Sequence, residues 1–373
     1  MPRHKHESTQ PHYLARYTHC DEEKKRKRRE EVTGETACFD GAASTPVLPD
    51  PYAQGPVTWR TAYNRCLRYE ANAGGDENAL VRARVLGRMI LEAPNDRCRD
   101  NLSREIIHTK NHREFNRIAD LYVNHFLGCF LRARCRTPTP SLRPSRPSFD
   151  NVPELLKFLL EEAPKDHATA KAKALIRDQY RCVLTGAYDY ECYSKMPDIT
   201  ELVRTNNLPV THTEAAHIIP DSTNMRISEQ NVFGDKWLGN SVILDELSGG
   251  LIHRLENMIT LSPDERIWFD NLCLWLESVP NHPNTYRPNS TDPIIRRNVP
   301  QTVTFTTNDP VKLPLPSPDY LRLHATAARV ANLSGAREYI ERVFRDMEET
   351  FVLENNGSSA DLLASVLEAF VGC

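Results

Sequence analysis

The chain reads as an α+β protein, with a central strand–strand–helix unit embedded between helical N- and C-terminal regions. Three observations predict this. Residues 57–134 place apolar side chains at helical spacing, and residues 320–351 do so again. Between them, Thr211–Ile219 and Glu256–Leu261 read as short strands. A helix with strong start signals follows the second strand at Ser262.

The elements follow in order. Residues 1–55 mix His, Lys, Glu, Thr and Pro without an apolar period, so a disordered basic tail is expected. Thr58–Glu70 carries Trp59, Tyr63, Cys66 and Leu67 on one helical face. Ala79–Leu91, a shorter Arg97–Thr109 and a long Glu114–Arg132 complete a helical domain over 57–135. The prolines of 136–150 forbid a helix and predict an extended linker. Val152–Ala163 and Ala168–Asp178 are helices that open a domain over 151–290. In the helix from Ser262, Pro263 suits the first helical position, Asp264 complements the dipole, and Ser262 with Glu265 forms a capping box. Its apolar face, Ile267, Trp268, Leu272, Trp275 and Leu276, carries the expected helix to residue 277. Residues 291–318 are again proline-rich and read as a linker, with a strand at Val303–Thr306. A C-terminal helical segment, 319–373, breaks at Ser334-Gly335, where Ser334 can cap the second half, and ends in a helix over Ala360–Phe370.

Composition narrows the function classes. The 373 residues suffice for several domains and a sizeable core. No apolar run approaches the ~18 residues that cross a bilayer, so no membrane partner is expected. None of the ten cysteines falls in a Cys-x-x-Cys pair, so neither a zinc ribbon nor a redox motif is indicated. Scattered thiols fit a reduced, intracellular protein. The formal charge of -3 is not that of a strongly basic DNA-binding chain, although local patches can still hold phosphate. The run Lys24–Arg29 reads as a nuclear-import signal or as a solvated charge run.

The chemistry concentrates between Arg177 and Glu277. Phosphodiester cleavage needs a base to activate water and a cation to neutralise phosphate charge. His217 ends an apolar strand just before Pro220, which cannot continue a ladder. Imidazole titrates near neutral pH and suits proton abstraction; a core histidine bonded to backbone is the structural alternative. Asn257 can donate and accept at once and so pin a long loop, or act as an ordinary cap. Arg266 lies near a helix N-terminus, where a guanidinium can hold phosphate; a surface arginine is the alternative.

The ordered set Ile176–Gly186, Thr213–Pro220, Arg254–Leu261, Phe269-Asp270, Leu274–Glu277 and Pro283–Arg287 resembles the HNH endonuclease domain of many uncharacterised fungal proteins, within the ββα-metal nuclease superfamily. The resemblance implies a ββα-metal core, a divalent cation such as Mg²⁺, DNA as partner, His217 as general base and Asn257 as the motif asparagine. It also exposes a departure. The last histidine of the motif falls on Arg266, which stays protonated and cannot ligate a metal. Ala216 occupies a second common ligand position. Glu214, Asp221, His253 and Asp264 are the substitute metal candidates, and no structural zinc is implied. Two functions follow: a metal-dependent endonuclease weakened at Arg266, or a degenerate HNH fold that binds nucleic acid or protein without cutting.

Overall fold

The computed structural model describes residues 48–49, 55–131, 167–220 and 246–349. All lie in the compact unit Pro46–Cys373, the other unit being Met1–Thr45. The basic run, the 136–150 linker, the helix expected at 152–163, Asp221 and the helix expected at 360–370 fall outside the described residues.

Four helices open the described fold: α1 (Val57–Ala71), α2 (Glu77–Leu91), α3 (Asp96–His108) and α4 (His112–Leu121). Their starts are fixed by short polar side chains. Asp76 accepts from the Asn78 and Ala79 amides, Asn95 from Cys98 and Asn111 from Glu114, the exchange that satisfies orphan N–H groups at helix starts. The long helix expected over 114–132 is interrupted by a wider π turn, Tyr122–Leu127, before α5 (Gly128–Leu131). Tyr122, Val123, Phe126 and Leu127 of that turn are all buried.

The central region starts with α6 (His167–Arg177). β1 (Tyr188–Asp189), α7 (Tyr190–Lys195), α8 (Pro197–Asn206) and β2 (Val210–Thr211) follow, with β1 and β2 pairing in parallel. β3 (Glu214–His217) then pairs antiparallel with β4 (Met258–Leu261), in the register Glu214 to Leu261 and His217 to Met258. The single strand expected over 211–219 is thus two, β2 and β3, in different sheets. α9 (Pro263–Asp270) leaves β4 directly and lies against β3, while α6 packs on both strands.

α9 is shorter than the sequence suggests. It stops at Asp270 because Leu272 turns into the left-handed region, φ 57°. The Cys273 amide then reaches the Trp268 carbonyl and the Leu272 amide that of Phe269, a Schellman closure. Full burial of the Leu272 side chain offsets the strain of a non-glycine residue there. Trp275 and Leu276, read as the end of the helical face, belong instead to β5 (Trp275–Ser278). β5 pairs with β6 (Thr285–Asn289), and β6 with β7 (Val303–Thr304). The capping box also fails to form, since Ser262 gives α9 no side-chain cap and its hydroxyl pairs with Thr185 at 3.2 Å. The proline-rich 291–318 segment is not bare linker, because it carries α10 (Pro293–Asn298) and β7.

α11 (Pro318–Ser334) and α12 (Ala336–Glu349) meet at Gly335, φ 77°, where the Ser334 hydroxyl accepts from the Ala336 amide. α11 packs on α2 and on β5, so one apolar core runs from Tyr63 through Phe130 and Phe269 to Val330. Arg329 ties Glu92 at 2.7 Å to Glu277 at 3.4 Å across that seam.

Two buried polar groups set the stability of this arrangement. Arg177, 1% exposed, forms a two-pronged pair with Asp178 at 2.8 and 3.0 Å and donates to the carbonyls of Leu255 at 2.8 Å, Met258 at 2.7 Å and Pro314 at 3.3 Å. Asp178 accepts in addition from the Thr260 amide at 3.1 Å. His324 stacks on Phe269 with ring centroids 3.8 Å apart and makes one polar contact, Nε2 to the Phe269 carbonyl at 3.2 Å. Its Nδ1 meets no partner among the described residues. Burial pushes its pKa down to about 3.

Arg177→Met is expected to lower unfolding free energy by roughly 3–5 kcal/mol, since it strands a buried carboxylate. An unfolding free energy from urea titration within ~1 kcal/mol of the parent would show that the pair holds little. The His324 shift sets a pH dependence of known sign. The unfolded chain takes up the proton near pH 6.5 and the folded one near 3, so stability falls as pH drops through that window, by up to about 1.4 kcal/mol per pH unit. His324→Phe is expected to reduce this acid slope by about one proton in urea titrations at pH 4–7, and an unchanged slope would refute the assignment.

Candidate functional site

The site is built on the β3–β4 pair. His217 is the last residue of β3, where the strand leaves the ladder, so its side chain stands at the edge of the sheet. Opposite it, the chain makes two 3₁₀ turns, Gly249–His253 and Leu255–Asn257, before entering β4.

Asn257 holds these segments in register. It is fully buried. Its side-chain oxygen accepts from the Ile219 amide at 2.8 Å, and its side-chain nitrogen donates to the carbonyls of Ile219 at 2.9 Å and Ile252 at 3.0 Å. Its own carbonyl accepts from the Ile218 amide at 2.9 Å. Both donors and one of the two acceptor sites of the amide are thus used on backbone. The outcome is positional: the residues after His217 and the residue before His253 are tied to one side chain.

This tie brings His253 to His217. Nε2 of His217 lies 3.1 Å from Nδ1 of His253, a hydrogen-bond distance whose direction depends on tautomer. Two neutral imidazoles own one N–H and one bare nitrogen each. After sharing one bond, the pair keeps one outward acceptor and one outward donor in either tautomer. Burial first, and then the imidazoles of His167 and His253 and the Arg266 guanidinium, push the His217 pKa down to about 3. The ring is therefore neutral near pH 7.

His167 was not singled out from the sequence. As the first residue of α6 it lies fifty positions before His217, and no local pattern marks it. Packing of α6 on β3 places its ring centroid 5.3 Å from that of His217 and 6.1 Å from that of His253. Burial lowers its pKa, and the Arg266 guanidinium and the His253 imidazole act in the same direction.

The remaining sequence candidates are placed differently. Arg266 is half-buried and contacts Glu214 through NH1 and Asp270 through Nε, the latter at 3.2 Å. It clamps α9 onto β3. Glu214 is thereby engaged by a guanidinium. Asp264 is exposed on the first turn of α9. Among the described residues no group of three or more His, Cys, Asp or Glu stands arranged to hold a metal ion. A magnesium-like cation takes six oxygens, with carboxylates among them. The carboxylates of Glu214 and Asp270 already face Arg266. The described residues do not fit that ion.

Asn257→Leu keeps the volume but removes three bonds, leaving the Ile219 amide and two carbonyls unpaired inside the protein. Each buried orphan costs about 1–3 kcal/mol, so a loss of roughly 3–9 kcal/mol is expected, together with faster amide exchange at Ile219. Parent-like exchange at Ile219 would show that the side chain does not pin the loop.

No curated protein and no solved structure matches the chain. A family model does: residues 182–274, which hold the β3–β4 pair, the asparagine pin and α9, match that of the HNH endonucleases.

Proposed function

We propose that this region acts on nucleic acid as an HNH-type nuclease of low turnover, hydrolysing phosphodiester bonds at the His217–His253 pair. The observation that supports the reading most is the geometry around Asn257, which holds the His217 imidazole, neutral and with one bare nitrogen, against His253 at the edge of the β3–β4 sheet. In this reading β3, β4 and α9 are the ββα unit. Water gives its proton to the bare nitrogen as its oxygen attacks phosphorus, and the bond to the leaving oxygen breaks.

Two features argue for low turnover. A base whose conjugate acid has a pKa of about 3 is poorly matched to pH 7. The negative charge of a bound phosphate would raise that pKa and improve the match. The described residues also offer no carboxylate set for a hard divalent cation, so no step is derived through one. Arg266, a candidate phosphate ligand from sequence, serves Glu214 and Asp270 first. The second reading, a binding module that does not cut, is favoured by this same guanidinium–carboxylate clamp.

Plasmid nicking in Mg²⁺ or Mn²⁺ separates the two. The parent is expected to nick weakly, His217→Ala to abolish nicking, and Arg266→His to raise it. Binding to a DNA duplex is expected to survive His217→Ala and to weaken as salt rises. Nicking unaffected by His217→Ala would sink the assignment. Absence of nicking in both the parent and Arg266→His, with salt-dependent DNA binding retained, would establish the binding module instead.

A further inference from the structure

We propose that α1 and α4, with the loop that enters α4, form a docking surface for the phosphate backbone of a nucleic-acid duplex, through Arg68, Lys110, Arg113 and Arg117. The inference rests on the nucleic-acid reading above. It concerns a surface outside residues 182–274, to which the family match applies.

Charge carries the argument. α1 and residues 107–117 hold five arginines and one lysine against two carboxylates, in a chain whose formal charge is -3. One of those carboxylates, Glu70, is buried on Arg84 at 2.6 Å. The other, Glu114, accepts from the Lys110 amide at 2.7 Å. Arg68, Lys110, Arg113 and Arg117 are exposed, and their side chains meet no carboxylate among the described residues. Exposed arginines elsewhere on the fold are engaged: Arg104 sits near Asp100, Arg322 on Asp319 and Arg342 on Glu77. A single free cation is an ordinary solvated side chain. Several on one face raise the local potential and attract a polyanion even when the whole chain is acidic.

The face is also held rigid, so its charges stand in fixed positions before any partner arrives. Arg65 donates NH1 to the Ile107 carbonyl at 3.0 Å and NH2 to that of Thr109, which ties α1 to the end of α3. Tyr69, one turn further along α1, stacks on Phe115 with ring centroids 3.7 Å apart and meets the His112 ring at 4.5 Å. These contacts clamp Lys110 and the start of α4 against α1. Arg68 follows Arg65 by three residues, and Arg117 follows Arg113 by four, so each pair shares a helix face. Cations presented from two helices reach phosphate oxygens without entering a groove, and such contacts position a duplex without reading its sequence.

The test is fluorescence anisotropy of labelled DNA duplexes with the full chain, in EDTA so that cutting does not intervene, across about 50–300 mM NaCl. Arg68→Gln combined with Arg113→Gln is expected to lower the slope of log affinity against log salt by about 2 and to weaken binding at least tenfold near 0.1 M, equally on two unrelated sequences. Arg322→Gln combined with Arg342→Gln removes the same charge from carboxylate-paired positions and is expected to keep the slope within about 0.5 of the parent. Circular dichroism checks folding; should the first double variant unfold, Lys110→Gln alone is expected to lower the slope by about 1. A parent-like slope in the folded variants, or an equal loss in the Arg322 and Arg342 control, would overturn the surface. So would retained duplex affinity with lost sedimentation on phosphatidylserine vesicles, which would assign the cations to a membrane. A parent that nicks DNA, with an unchanged slope in the variants, removes this surface and leaves the nuclease reading standing, whereas a parent that binds no duplex removes both.

Discussion

The site rests on one buried charge pair beneath the β3–β4 unit. Arg177 and Asp178 are consecutive residues at the end of α6, and neither is in water. An ion pair so placed is tolerable only if its remaining donors and acceptors are satisfied. The guanidinium does this with the carbonyls of Leu255 and Met258, and the carboxylate with the Thr260 amide. These three residues surround Asn257 and form the entry to β4. The pair therefore joins α6 to the strand on which the site is built, and it sets the position of His167, ten residues earlier on the same helix.

A second layer of polar satisfaction converts that scaffold into a site. Asn257 spends both side-chain donors and one acceptor site on backbone. Its contribution is positional: it brings a strand end and a 3₁₀ turn together and so brings His217 to His253. Desolvation then keeps both His167 and His217 uncharged, and uncharged imidazoles can sit close together without repulsion. Arg266 engages the Glu214 and Asp270 carboxylates, which are thereby taken from any hard cation. The site is thus rich in imidazole and short of available carboxylate.

Much of the architecture was legible in the chain. The spacing of Trp59, Tyr63 and Cys66, of Phe115 and Ile118, and of Leu321 and Val330 marks amphipathic helices, because one face of each meets an apolar core. Asp76, Asn95 and Asn111 mark starts, and Gly335 marks a stop, through local backbone chemistry. The β5 segment misled for a physical reason. Trp275 and Leu276 continue the helical period from Ile267 and Trp268, so periodicity alone cannot see that Leu272 reverses the chain. A leucine at positive φ has no sequence signal; its burial and the pairing of Trp275 with Asn289 decide the matter. Ser262 and Glu265 likewise spell a capping box, but the nearby Thr185 hydroxyl takes the serine.

The sequence by itself determined that a strand-ending histidine, an asparagine and a helix bearing Arg266 follow in order. Order along the chain is a local property and survives without coordinates. What surrounds His217 was decided only in three dimensions. His167, His253, Arg266 and Glu214 come from a helix, a turn, a second helix and a strand, and their separations depend on how α6 and α9 pack against the β3–β4 pair. No spacing rule relates residues that meet across such packing. The imidazole cluster and the guanidinium–carboxylate clamp are therefore properties of the tertiary structure, set by the burial of Arg177, Asp178 and Asn257 beneath them.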